Sequence, residues 1–213
     1  MITQPNALRA FLAGEWHLTK VMSYTRGGLD ATFDGIATYV PLSDTTPTAT
    51  AAATSCLAYE EKGTMRFNNG DVELVAYRRL LWDLEADPVA VYFDEATDRS
   101  SEKAIRGGAR FFHHVALASA TTTAPPTLSG ADAAATARQP PPFEHPCGPD
   151  LYVGRLLLPP DGGEHADADD AFAIHWRVRG PRKDGVIRNS FARVRAAAAP
   201  SAAAATAGAA AAR

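Results

Sequence analysis

Residues 14–24 of the chain read Gly14-Glu15-Trp16-His17-Leu18-Thr19-Lys20-Val21-Met22-Ser23-Tyr24. The side chains at the even positions, from Trp16 to Tyr24, are mostly large and apolar, and they alternate with smaller or polar residues at the odd positions. A repeat of two residues is typical of a β-strand, whereas an amphipathic helix repeats about every 3.6 residues. The segment therefore predicts one long strand.

Eight further segments have the composition of strands and are separated by turn sequences such as Asn69-Gly70 and Gly180-Pro181. Because no helix-length pattern lies between them, consecutive strands are expected to pair antiparallel and to close into a barrel of about 8–10 strands. Before the first strand, Asn6 is expected to cap a short helix that Gly14 ends. The eight segments are Ala31–Val40, Ser55–Glu61, Val72–Leu84, Val89–Phe93, Ala109–Ala118, Leu151–Leu158, Phe172–Arg179 and Val186–Val194.

Residues 1–195 are predicted to form a single domain with insertions at 41–54, 119–142 and 159–170. These insertions are rich in small and polar residues and cannot bury enough apolar surface to offset the entropy of ordering them. Residues 196–213 are almost entirely alanine and have no amphipathic face. We predict that they form a disordered tail.

The composition, 46% hydrophobic and 21% charged, is that of a soluble globular protein. A net charge of −3 provides no field that would attract nucleic acid or an anionic membrane. Two cysteines, Cys56 and Cys147, are too few for a disulfide framework, and no segment approaches the roughly 20 apolar residues of a membrane span. We predict a cytoplasmic protein that binds neither nucleic acid nor membranes.

The segment Gly14-Glu15-Trp16 resembles the G-x-W signature of the lipocalins and their calycin relatives. In that family the tryptophan plugs the closed end of the barrel, and a basic residue on the last strand lies across its ring. The resemblance therefore implies a lipocalin-like (calycin) β-barrel, with Arg193 in the position of that basic residue.

Six longer segments resemble an uncharacterised lipocalin-like family, the domain of unknown function numbered 6314. The resemblance extends over roughly residues 9–195 and brings no known activity. Where the family usually has an aromatic residue after a Gly-Pro-Arg-Lys-Asp turn, this chain has Gly185. The six segments are 11–16, 59–63, 77–82, 110–113, 145–154 and 176–184.

Polar residues on apolar strand faces are the candidates for a site inside a barrel. Arg78 shares a face with Leu80 and Trp82, and a buried guanidinium needs an anionic partner. That partner is either an internal acid, such as Glu60 or Asp150, or a carboxylate or phosphate of a ligand. On another strand, the alternation places His113 on the same face as Phe111.

The densest polar cluster comprises His145, Cys147, Asp150 and Tyr152. Its His and Cys side chains are zinc-type donors, but no second thiol pair accompanies them, and we predict no metal. The same cluster could act as an acid and a base, or it could be a turn closed by hydrogen bonds. Both readings stay open.

Late in the chain, Trp176 is expected to face the core, and Arg182 and Lys183 form a basic hairpin turn. His175, a candidate axial ligand for haem, points outward if Trp176 points inward. We therefore predict no cofactor.

The leading hypothesis is a binding protein for a small apolar or anionic molecule, with no indication of its oligomeric state. An enzyme is the less favoured alternative: a cofactor-free hydrolase, isomerase or decarboxylase that uses His113 or the His145, Asp150 and Tyr152 cluster. A further alternative is an interaction scaffold that uses the basic C-terminal hairpin. The predicted ligand-binding residues are Arg78, Trp82, Phe111, His113, His145, Asp150, Tyr152, Trp176, Arg182 and Lys183.

Overall fold

The fold is taken from a computed structural model of the chain. The structure describes residues 2, 4–42, 56–67, 72–97, 106–117, 142–159 and 170–195. Most of the three predicted insertions and the whole predicted tail lie outside the described residues.

The described residues include one helix of eight residues and ten strands, and these are numbered here in chain order. The helix begins at Pro5, whose fixed φ suits the first helical position, and Gln4 rather than Asn6 occupies the position before it. The elements are α1 (Pro5–Leu12), β1 (Gly14–Arg26), β2 (Ala31–Pro41), β3 (Cys56–Phe67), β4 (Glu73–Asp83), β5 (Val89–Asp94), β6 (Ala109–Val115), β7 (Phe143–Cys147), β8 (Asp150–Leu157), β9 (Ala171–Arg179) and β10 (Asp184–Arg193).

All the strands belong to one antiparallel sheet with the order β6-β5-β4-β3-β2-β1-β10-β9-β8-β7. The first and last strands pair with each other, Trp16 opposite Arg193 and Met22 opposite Ile187, so the sheet curls round on itself. Its two ends, β6 and β7, lie side by side and almost complete the ring. The protein is therefore an all-β, nearly closed antiparallel barrel with a short N-terminal helix, as the sequence predicts.

Strand β7 is the element that the sequence pattern missed. It contains Pro146, which provides no N–H for a ladder, and its five residues are too few to display an alternation. It nevertheless pairs with β8, Phe143 opposite Gly154 and His145 opposite Tyr152. Proline is tolerated here because β7 is the edge strand of the sheet.

Helix α1 covers one end of the barrel, where Leu8 and Leu12 join the same buried cluster as Trp16. Trp16 is fully buried, and its indole N–H donates to the Leu12 carbonyl at 2.7 Å. Phe172 meets the indole edge-on, with 4.8 Å between ring centroids. The tryptophan thus closes this end of the barrel.

Arg193 of β10 packs against the Trp16 indole at the same end of the barrel. Its guanidinium carbon lies 4.1 Å from the Trp16 ring centroid, a cation–π contact. Its two terminal nitrogens donate to the carbonyls of Ala13, at 3.1 Å, and Phe11, at 2.5 Å. These carbonyls lie at the C-terminal end of α1, where backbone acceptors lack partners within the helix. This is the arrangement that the G-x-W resemblance implies.

We expect Arg193→Met to lower the free energy of unfolding by about 2 kcal/mol, since it removes a cation–π contact and two charge-assisted hydrogen bonds. The free energy of unfolding of Arg193→Lys should lie between those of this variant and the wild type. An ammonium keeps the positive charge but lacks the two terminal nitrogens of the guanidinium that donate to the two carbonyls. Urea denaturation measures both. Arg195→Met is the control: Arg195 forms an exposed ion pair with Asp170, so its loss should cost less than about 1 kcal/mol. Equal losses at the two positions would show that Arg193 does not brace the closed end.

Candidate binding site in the barrel

A carboxylate is buried on the inner face of the barrel. Glu61 of β3 accepts a hydrogen bond from Lys20 of β1, 2.5 Å from Nζ to Oε1, and its second oxygen accepts the Tyr59 hydroxyl. All three residues are buried. Burial lowers the pKa of Lys20, although the Glu61 charge opposes that shift. Burial, together with the Glu61 charge, also raises the pKa of Tyr59 well above its ordinary value, so the hydroxyl keeps its proton and donates.

Arg78 faces the same carboxylate from β4. It stands directly opposite Glu61 in the ladder, and its Nε lies 3.9 Å from Glu61 Oε1. The expected internal partners of Arg78 were therefore wrong. Glu60 lies on the outer face, where it accepts the Tyr77 hydroxyl at 3.0 Å. The Glu61 carboxylate thus faces two cations, Lys20 and Arg78.

The Arg78 side chain is 49% exposed, so the expectation of a buried guanidinium was also wrong. The cause is the length of β5, which pairs with β4 only from Leu80 to Asp83. The first half of β4 therefore lies beyond the described part of β5. Arg78 is consequently anchored near Glu61 while its guanidinium remains within reach of solvent.

Aromatic rings and histidines line the wall across from these charges. His113 of β6 is buried and stacks on Phe143 of β7, with 5.2 Å between centroids and 11° between planes. Trp176 of β9 meets His113 edge-on at 5.1 Å and lies 6.5 Å from Tyr152 of β8. The Phe143 ring covers Gly154 of β8, so no free space lies beside this glycine. The wall is continuous from β6 to β9.

His113 is neutral near neutral pH. Burial lowers its pKa to about 4, with smaller contributions from the nearby charges of His145, His114 and Arg78, and a backbone hydrogen bond opposes the shift. Its Nδ1 lies 2.8 Å from the His114 carbonyl oxygen, which can only accept, so Nδ1 carries the proton. The other ring nitrogen, Nε2, is then a hydrogen-bond acceptor.

Two residues of the densest sequence cluster, His145 and Asp150, have separate contacts. His145 Nδ1 lies 2.7 Å from the Phe112 carbonyl and joins β7 to β6 across the gap in the ring. Asp150 Oδ1 accepts the backbone N–H groups of Arg182, at 2.9 Å, and Lys183, at 3.1 Å. Asp150 therefore closes the turn between β9 and β10. These contacts favour the reading of the cluster as structural rather than as an acid and base pair.

Phe111 does not line the barrel, although the alternation predicted that it would. A bulge shifts the pairing between β5 and β6, so Val91 pairs with His113 but Tyr92 pairs with Phe111. Phe111 is 49% exposed and packs on Tyr92, with 5.8 Å between ring centroids. Trp82, by contrast, is buried with its ring edge-on to Tyr39, and no hydrogen-bond partner for its indole N–H occurs among the described residues.

Of the two basic turn residues, Arg182 is exposed and Lys183 lines a cavity at the open end of the barrel. Across the ranges that the structure describes, no group of three or more His, Cys, Asp or Glu side chains is placed to hold a metal ion. In the same ranges, no helix is long and apolar enough to cross a membrane.

Two central residues, Lys20 and Glu61, were absent from the sequence-based site. Lys20 could have been found, because it is the charged member of the alternation that also contains Trp16, Leu18 and Met22. Glu61 could not, because two adjacent glutamates are available and only the register of β3 decides which of them points inward.

The fold and the plugged, charged interior define the class of the protein, a nearly closed antiparallel β-barrel. Residues 12–193 match the model of the family of unknown function DUF6314, and the chain belongs to this family. The solved structure of the S-type phycobiliprotein lyase CPES from Guillardia theta is similar to this chain, with a TM-score of 0.46 and 6% identity over 92% of this chain and 96% of that chain. No curated protein matches the chain.

Acid should destabilise the protein through His113. Between about pH 6.5 and pH 4, the unfolded chain binds a proton at this histidine and the folded chain does not. The free energy of unfolding should therefore decrease as the pH is lowered. The decrease due to His113 should reach about 3 kcal/mol near pH 4. Urea denaturation at several pH values measures this. His113→Phe, which cannot titrate, should remove that part, and parallel profiles for the variant and the wild type would contradict the assignment.

Asp150→Ala should lower the free energy of unfolding by about 2–3 kcal/mol, because it leaves the amides of Arg182 and Lys183 without their charged acceptor. Asp150→Asn should lose roughly half as much, since an amide oxygen still accepts. Thermal and urea denaturation test both variants against Glu85→Ala, an exposed acid whose loss should matter by less than about 0.5 kcal/mol. No loss in Asp150→Ala would mean that the turn does not need its carboxylate.

Proposed function

We propose that the barrel binds a small, partly apolar molecule that carries a negative charge. The observation that carries this proposal is the charge arrangement around Glu61: one carboxylate faces both Lys20 and Arg78. The Lys20 Nζ lies 2.5 Å from Glu61 Oε1, whereas the Arg78 Nε lies 3.9 Å from the same oxygen. About half of the Arg78 side chain is exposed. Arg78 is thus the cation whose guanidinium is accessible to the negative charge of a ligand.

The proposed binding wall consists of the aromatic and histidine side chains across from Arg78. His113 is neutral near neutral pH, so it adds no charge there and offers an acceptor nitrogen. Trp176 and Tyr152 extend the wall toward the open end. Ligand sites of this kind combine a mostly apolar lining with a few polar groups that fix orientation.

The remaining predicted residues take different parts in this proposal. Trp82 supplies a buried wall residue with an indole N–H, and His145 joins β6 to β7 behind the wall. Asp150 positions the turn that bears Arg182 and Lys183. Phe111, on the outer face, has no role in ligand binding.

We place the protein in the cytoplasm. Neither Cys56 nor Cys147 forms a disulfide, and reduced cysteines persist in a reducing compartment.

The proposal predicts that Arg78→Met weakens binding of an apolar anion by about tenfold, because one charge-assisted contact is worth about 1.4 kcal/mol or more. The probe is anilinonaphthalene sulfonate, followed by its fluorescence. Arg79→Met is the matched control, since Arg79 is the next residue on the strand and points to the outer face. It should bind the probe as the wild type does.

Native mass spectrometry of the purified protein gives an independent measurement. We expect an adduct of small mass with the wild type and Arg79→Met, and a reduced amount with Arg78→Met. Equal probe affinity and equal adducts in all three proteins would exclude Arg78 as the charge partner.

A further inference from the structure

We propose that the protein forms a two-fold symmetric dimer in which one edge of β4, residues 73–79, pairs antiparallel with the same edge of a second copy. On one side of β4, the ladder with β3 runs from Glu73 to Asp83. On the other side, β5 pairs with β4 only from Leu80 to Asp83. Within the part of the chain that the structure describes, no strand pairs with the backbone of residues 73–79 on that side.

This β4 edge lacks most of the features by which proteins keep an edge strand from pairing. It contains no proline and no lysine, and its ladder with β3 keeps one register without a bulge. Apolar side chains are exposed on both of its faces, Leu74 on the inner face and Val75, which is 79% exposed, on the outer face. An exposed sheet edge with such side chains is the surface to which a further strand adds.

The extent of the β4 edge fixes the register of the pairing. Ala76 is the midpoint of residues 73–79, so two copies that use the whole edge meet with Ala76 opposite its symmetry mate. A two-fold axis at this point makes the interface isologous, and every other contact occurs twice. Because Ala76 is small and stands opposite Gly63 of β3, no bulky side chain of β3 or β4 lies on the inner face at the axis.

This register places opposite charges against each other. Glu73 and Arg79 lie equally far from Ala76, so Glu73 of one copy stands opposite Arg79 of the other on the outer face. Within one copy, Glu73 pairs with Arg66 at 2.5 Å, and both side chains are more than half exposed. Arg79 donates to the Ala96 carbonyl at 3.3 Å and has no acidic partner in the described ranges. The dimer provides that acid at both ends of the interface.

The remaining opposed pairs are compatible with the same register. On the outer face Val75 stands opposite Tyr77, whose hydroxyl keeps its bond to Glu60. A β-branched residue opposite an aromatic ring is a favourable cross-strand pair. On the inner face Leu74 stands opposite Arg78, which can lay its aliphatic stem against the leucine while the guanidinium stays in solvent. No like charges therefore face each other along the edge.

Sedimentation velocity of the full chain over a range of concentrations tests the dimer. We expect the wild type to dimerise with a dissociation constant of about 10 µM, because one pair of strands forms a small interface. Glu73→Arg and Arg79→Glu each set like charges opposite one another at both ends of the interface, and each should weaken the dimer by at least about tenfold. Glu85→Arg, a charge reversal at an exposed acid outside the edge, should dimerise as the wild type does.

An equimolar mixture of Glu73→Arg and Arg79→Glu is the decisive measurement. In a heterodimer of these two variants, each end of the interface again joins opposite charges, so the mixture should associate about as tightly as the wild type. Loss of fold in either variant cannot produce such a recovery.

A wild type that stays monomeric, single variants that dimerise as it does, or a mixture of folded variants that remains monomeric would overturn the proposal. Circular dichroism verifies the fold of each variant. If one of them does not fold, the chain that carries both substitutions replaces the mixture, since it also restores opposite charges at both ends. All measurements are made without ligand, and the dimer does not require the Arg78 guanidinium. Failure of the dimer would therefore leave the proposed function standing.

Discussion

The Glu61 carboxyl group is accommodated inside the barrel because each of its oxygens accepts a hydrogen bond, one from Lys20 and the other from Tyr59. An ionised carboxylate without such partners would cost several kcal/mol, a large fraction of the stability of a domain. The two donors come from β1 and from β3 itself, while Arg78 comes from β4. Three strands must therefore hold their register for this charge to be tolerated.

That requirement links the interior to the closed end. A shift of β1 by one residue would turn Lys20 to solvent and take from Glu61 its nearest cation, and it would also withdraw Trp16 from beneath Arg193. The plug and the ion pair therefore select the same register of β1. Buried polar groups of this kind add little net stability, because desolvation offsets the attraction between charges. Their contribution here is to make one register of the strands more stable than the registers shifted by one residue.

The sequence predicted what depends on local alternation. Nine of the strands, the antiparallel pairing and the inward direction of Trp82, His113 and Trp176 follow from a repeat of two residues. The prediction failed where a single residue interrupts the two-residue alternation. The bulge in β6 turned Phe111 outward, and Pro146 concealed β7. The choice between Glu60 and Glu61 and the exposure of Arg78 depend on which strands meet and how far they pair, which no single segment encodes.

Two arginines of the barrel, Arg193 and Arg78, differ in how much of their hydrogen-bonding capacity the fold uses. At the closed end, Arg193 uses its donors on helix carbonyls and its face on Trp16, so little hydrogen-bonding capacity remains. Toward the open end, Arg78 stays half exposed and Asn189 Oδ1 has no partner among the described residues. Folding alone selects against such unsatisfied groups, because each weakens the native state. A ligand gains affinity from groups that the fold itself leaves unused, and the half-exposed guanidinium of Arg78 is such a group in the proposed function.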